Sequence, residues 1–181
     1  MSDDLIFRKA DTNDLDQIEG IYSRNHDEEE AGRISTGWIR DVYPTRETAK
    51  EAVEAGELFV LEENGRILAC GRINKEQAEQ YYKVDWRYPA PEEKVMVLHT
   101  LMTDPPLTGR GYGKIFVSCY ENYAAENSCP YLRLDTNERN TRARAFYKKH
   151  GYEERGIVPC LFNGIPDVHL VLLEKKLVEI K

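Results

Sequence analysis

The apolar positions of the chain fall into short runs of two kinds, and their spacing predicts an order of elements. Leu5 to Lys9 alternates well enough for a first strand. Asp11 or Thr12 then supplies an N-cap for a helix that puts Leu15, Ile18, Ile21 and Tyr22 on one face and runs towards Arg24. The acidic stretch from Asp27 to Glu30, with Gly32 and Gly37 after it, predicts an irregular, exposed connection. Pro44 and Thr45 open a second helix, with Ala49, Ala52 and Val53 facing inward and Gly56 at a left-handed C-terminal cap. Leu58 to Leu61 and Ile67 to Ile73 are strand-like runs joined through Asn64-Gly65, a hairpin pair because both residues accept positive φ.

The segment from Asn74 to Glu93 is polar and aromatic, with Tyr81, Tyr82, Trp86 and Tyr88, and reads as a surface wrap without assigned structure. Val95 to Met102 is nearly continuous in β-forming apolar residues, as a central strand covered on both faces should be. Ile115, Cys119 and Tyr123 recur at helical spacing beside Phe116, Tyr120 and Ala124, which predicts a helix of roughly three turns. Leu132 and Leu134 mark the next strand, parallel to the central one through a right-handed crossover. Asn140 caps a fourth helix bearing Ala143, Phe146 and Tyr147 and stopping at Gly151, and strands near Tyr152 to Val158 and Val168 to Lys175 close the chain. The expected fold is one α/β domain over residues 1–181, with a mixed, mostly antiparallel sheet flanked by helices.

Composition narrows the class of partner. The 181 residues are 41% hydrophobic, enough for a sizeable core, and the net charge of -7 argues against nucleic acid, which needs a surplus of Lys and Arg to displace counterions. Cys70, Cys119, Cys129 and Cys160 lack metal-ligand spacing and read as reduced, buried thiols, so no metal is expected. The opening MSDDLIFRKA has no basic region before an apolar stretch, and no run approaches the ~18 apolar residues needed to span a bilayer, so a cytoplasmic protein without a membrane partner is expected. Oligomeric state is not written in the pattern, and a homodimer is one arrangement compatible with it.

The strongest chemical signal is Thr108-Gly109-Arg110-Gly111-Tyr112-Gly113-Lys114, between the buried strand and a helix. Its glycines let the backbone turn tightly and aim N–H groups at one point, while the helix adds its positive dipole end, which makes an anion cradle. A Walker A loop would need glycine at 108 and Ser or Thr at 115, where Thr108 and Ile115 stand. A dinucleotide fingerprint would need glycine at 114, where Lys114 stands.

The loop resembles the pyrophosphate loop of the GNAT superfamily of N-acetyltransferases, Gln/Arg-x-x-Gly-x-Gly/Ala. Arg110, Gly111, Tyr112 and Gly113 match its core, and Asp104-Pro105 stands at the expected distance ahead of it. Asn140-Thr141-Arg142-Ala143-Arg144-Ala145-Phe146-Tyr147, continuing to Gly151-Tyr152, is similar to the family's Asn-x-x-Ala-x-x-Phe-Tyr-x-x-x-Gly-Phe/Tyr signature. The resemblance is firmest over residues 95 to 158, and Thr108 departs from it where the family has Gln or Arg.

The resemblance implies acetyl-CoA as cosubstrate and a primary amine as acceptor, small molecule or protein, which attacks the thioester directly. It implies a bulged central strand that splays from its parallel neighbour, so that Leu101, Met102 and Thr103 pair with the pantetheine arm while Gly109, Arg110, Gly111, Gly113 and Lys114 hold the pyrophosphate. Asn140 would flank the arm, a role compatible with a plain N-cap. Tyr147 is the candidate acid for the departing thiolate, and a core aromatic beside Phe146 is the plainer reading. His99 interrupts an apolar strand and is the candidate base. A satisfied core histidine, Asp135 or a chain of waters competes with it. Acceptor choice is expected to lie in residues 25 to 43 and 74 to 93, whose acidic and aromatic character hints at a cationic acceptor. A non-catalytic CoA-binding or sensing module is the alternative reading.

Overall fold

A computed structural model describes residues 5–178. Its seven strands are β1 (Leu5–Lys9), β2 (Leu58–Glu63), β3 (Arg66–Asn74), β4 (Val95–Thr103), β5 (Tyr131–Asn137), β6 (Glu153–Phe162) and β7 (Ile165–Lys176). They form one mixed sheet in the order β1-β2-β3-β4-β5-β7-β6. Only the central pair, β4 and β5, is parallel. The helices are α1 (Leu15–Glu30), α2 (Arg46–Glu54), α3 (Tyr112–Glu126) and α4 (Thr141–Lys149).

Each face of the sheet has its own cover. Phe116, Val117 and Tyr120 of α3 and Tyr147 of α4 pack on Met96, Leu98, Leu132 and Leu134. On the opposite face Ile18, Ile21 and Tyr22 of α1, with Ala49 and Ala52 of α2, cover Leu58, Val60 and Cys70. Beyond them Tyr81 and the segment around Trp86 cover Val95, Val97, Leu170 and Leu172. Residues 74–93 are therefore partly core: Tyr81 is fully buried, and Trp86 lies under the Arg133 guanidinium at 4.1 Å.

Two helices run longer than their apolar spacing. α1 continues past Arg24 through the acidic stretch to Glu30, because its carboxylates are matched: Glu28 pairs with Arg33, and Asp27 and Glu30 with Arg40. α3 completes about four turns, as its 15 residues require. At the other end β6 and β7 are joined through Asn163-Gly164, both at positive φ, a hairpin whose flanking Pro159 and Pro166 mask its strand pattern. No helix among the described residues is long and apolar enough to cross a membrane.

Candidate active site

The site is built where β4 and β5 part. They pair from Val95 with Tyr131 to Leu98 with Leu134, and their register extends no further. On its other edge β4 stays paired with β3, but Thr100 and Leu101 together oppose Gly71. Two residues against one form a β-bulge, which bends the strand and re-aims it. Thr100 carries the strain, with φ of 54°, uncommon for a β-branched residue. Its hydroxyl is hydrogen-bonded to that of Tyr43. Gly71 leaves room opposite the bulge, since a Cβ there would stand 3.0 Å from the Phe116 ring, a tight contact that the ring would have to yield to.

The parting leaves a cleft of about 660 Å³. Phe146 and Tyr147 of α4 line it from one face of the sheet, and Phe162, Val168 and Leu170 from the other. Backbone or side-chain atoms of Leu101, Met102 and Thr103 form its β4 wall, although the Met102 side chain belongs to the core under α1. Residues 33–38, after α1, close one side.

At one end lies the glycine loop. Gly109 and Gly111 both hold φ of +87°, and at each a Cβ would meet nothing within 4 Å, so the space over the loop is open. Gly111 is the N-cap of α3 and provides no side-chain cap, which leaves first-turn N–H groups available to an anion. Lys114, Arg142 and Lys149 line the same cleft, and none has an ion-pair partner among the described residues. A basic cradle in a chain of net charge -7 suits a phosphate-bearing ligand. Arg110 does not line the cleft, and its N–H donates to the Leu107 carbonyl at 3.2 Å.

Two titratable groups, Tyr147 and Asp135, and one amide, Asn140, stand near the point of parting. Tyr147 is 8% exposed, packs edge-on against Tyr152 at 5.6 Å, and lines the cleft. Its hydroxyl has no hydrogen-bond partner among the described residues. Burial, with the Asp135 carboxylate in second place, raises its pKa well above the ordinary phenol value, so it stays protonated. Asp135 is the first residue of β5 beyond its pairing with β4 and lines the cleft. Its Oδ2 accepts a hydrogen bond from the Tyr81 hydroxyl at 2.7 Å. Enclosure pushes its carboxyl up to about 6, and the Tyr81 hydrogen bond pulls the other way. Asn140 caps α4, accepting from the Ala143 N–H at 3.1 Å, and also lines the cleft.

His99 is not brought to the cleft. Its Nε2 lies 2.8 Å from Asn74 Oδ1, and Asn74 is itself tied to Glu57 at 2.9 Å. Desolvation first, then the positive charge of Arg72, lowers its pKa to about 4. A ring neutral at pH 7 and fixed beside Asn74 suits the structural reading of this histidine. His99→Gln is therefore expected to leave the acidic limb of the pH–rate profile in place and turnover within a few-fold of wild type. A displaced limb in a folded variant would restore it as the base.

Several residues of the site carry no motif. Tyr43 reaches Thr100 from the connection before α2, and Tyr81 reaches Asp135 from the segment before β4. Glu29 holds residues 36–37 against the cleft, accepting from the Thr36 N–H at 2.7 Å and the Gly37 N–H at 3.0 Å. Gly37 has φ of +77°, and a Cβ there would collide with the Asn137 side-chain amide. None of the carboxylates of residues 27–30 lines the cleft, and of the acidic residues only Asp135 does so among the described residues.

Comparison with known proteins gives the same reading. Residues 16–152 match the family model described as the acetyltransferase (GNAT) family. An uncharacterized N-acetyltransferase of Bacillus subtilis (strain 168), YhfO, is 32% identical over 97 residues, covering 54% of this chain and 58% of YhfO. The chain thus matches little more than half the length of that relative. A GNAT-family acetyltransferase from Streptococcus agalactiae 2603 superposes with a TM-score of 0.81 at 22% identity, covering 97% of this chain and 96% of the other. One from Listeria monocytogenes 4b F2365 gives 0.72 at 22% identity, covering 96% and 95%.

Proposed function

Given that the chain belongs to the GNAT family of acetyltransferases, we propose that it transfers an acetyl group from acetyl-CoA directly to an amine held in the cleft between β4 and β5. The observation that carries this reading is the convergence, in one cleft, of the open glycine cradle, the Tyr147 hydroxyl and the Asp135 carboxylate. Bound acetyl-CoA supplies a thioester carbonyl and a thiolate leaving group.

Gly109, Gly111, Gly113 and the first turn of α3 bind the pyrophosphate through backbone N–H groups, with Lys114, Arg142 and Lys149 adding charge. Leu101, Met102 and Thr103 offer the backbone edge that β5 leaves free to the amides of the pantetheine arm, and Asn140 flanks it from α4. Asp135 receives the proton that the ammonium must lose before attack. Its pKa of about 6 keeps it mainly ionised at pH 7 yet more basic than an ordinary aspartate. Tyr147, with its raised pKa, acts as a hydrogen-bond donor to the sulfur as negative charge develops there; as the C–S bond breaks the nitrogen gives its second proton to water, and the released thiolate takes one from water.

The test is thiol release from acetyl-CoA with a panel of amines. Amine-dependent release is expected, and Tyr147→Phe should lower kcat roughly 10- to 10²-fold, the worth of one hydrogen bond to a charged acceptor, with acetyl-CoA affinity within a few-fold. Wild-type turnover in the Phe variant would remove Tyr147 from the chemistry. Tight acetyl-CoA binding with no release from any amine would favour a CoA-binding module instead.

A further inference from the structure

The cleft has a charge pattern opposite to the one suggested by the acidic stretch of the sequence. Arg33 and Arg139 line it together with Trp38, Phe162, Val168 and Leu170. Arg33 is neutralised by Glu28, which accepts from its Nε at 2.7 Å and from a terminal nitrogen at 2.7 Å. Arg139 is not: among the described residues its guanidinium has no carboxylate and no hydrogen-bond acceptor. It sits just beyond the C-terminal end of β5, where the Asn137 side chain accepts the Arg139 backbone N–H at 3.0 Å. Its terminal nitrogen lies 3.8 Å from where a Cβ on Gly37 would stand, so it reaches across the cleft mouth to residues 36–38.

One wall thus carries an anion and a cation in line. Asp135 and Asn137 are two residues apart on β5, about 7 Å at strand rise, and Arg139 follows with a long side chain able to reach back. A polyamine would meet one carboxylate and an uncompensated guanidinium, which repels its second ammonium. A small molecule with one amine and one anionic group would satisfy both, with an apolar body against Trp38 and Phe162. We infer that the acceptor is an amino-acid-like amine, its ammonium directed to Asp135 and its carboxylate bound by Arg139. This inference rests on the acetyl-transfer reading of the cleft.

The experiment uses pairs that differ only by the carboxylate: phenylalanine with phenethylamine, leucine with isoamylamine, and ω-amino acids with matching n-alkylamines, alongside putrescine and spermidine. Thiol release is followed for wild type and Arg139→Gln, and the same compounds are titrated calorimetrically into the CoA-loaded protein. The carboxylate-bearing member is expected to lead by about tenfold in kcat/KM, because the truncated analogue forgoes the charge-assisted hydrogen bonds that Arg139, exposed at the cleft mouth, offers to a carboxylate. Arg139→Gln should collapse that lead while acetyl-CoA affinity holds. Equal or better use of the alkylamines or polyamines would overturn the inference, as would an Arg139→Gln defect confined to acetyl-CoA affinity. Carboxylate-selective binding without any thiol release would support the anion site and count against acetyl transfer, so the two claims fail separately.

Discussion

Replacing Gly111 by glutamate is expected to abolish acetyl-CoA binding in a protein that still folds. Gly111 holds φ of +87° at the N-cap of α3, with open space where a Cβ would project. A glutamate there costs backbone strain of order 1–2 kcal/mol, which a domain of this size survives. Its carboxylate would satisfy the first-turn N–H groups itself and repel the phosphates they would otherwise bind. Gly111→Ala carries the strain without the charge and should weaken binding only partly. Thr108→Ala should change little, because the cradle is built of backbone. Calorimetry on the three variants measures this, and unchanged acetyl-CoA affinity in the glutamate variant would remove the basis for the cosubstrate assignment.

The second large effect is expected from Asp135→Asn, which should lower kcat/KM by roughly 10²- to 10⁴-fold, the usual contribution of a positioned base. The pH dependence fixes the sign. The carboxylate is the active form, and burial raises its pKa to about 6, so wild-type activity should fall as pH drops through about 6. The Asn variant should lose that limb. Tyr81→Phe removes a hydrogen bond that favours the ionised form, so its limb should move to higher pH. An acidic limb that survives unchanged in Asp135→Asn would exclude this carboxylate as the base.

Legibility in the sequence followed the range of the interactions. The glycine loop, the α4 block and the apolar periods of β4 and α3 are local signals, and each lies where its spacing placed it. The splay of β4 from β5 follows from the resemblance alone, since a bulge opposite Gly71 leaves no mark on the apolar run from Val95 to Met102. His99 illustrates the limit of strand reasoning. Its neighbours Leu98 and Thr100 line the cleft, while the imidazole of His99 is satisfied by Asn74, a residue 25 positions away. The acidic run from Asp27 to Glu30 looked available to a cationic acceptor, but Arg33, Arg40 and the backbone of residues 36–37 consume it. Tyr43 and Tyr81 come from segments without periodicity, and only tertiary contact brings them to Thr100 and Asp135.

The central claim is that an acetyl group passes from CoA to an amine in this cleft without resting on the protein. Mass spectrometry of a reaction mixture, following free CoA, N-acetylated amine and intact protein together, tests it most directly. Free CoA and N-acetyl product should rise in a one-to-one ratio, Gly111→Glu and Asp135→Asn should suppress both, and the protein mass should stay constant throughout. Release of CoA without an acetylated amine, or a protein that gains an acetyl group which then chases into product, would contradict direct transfer.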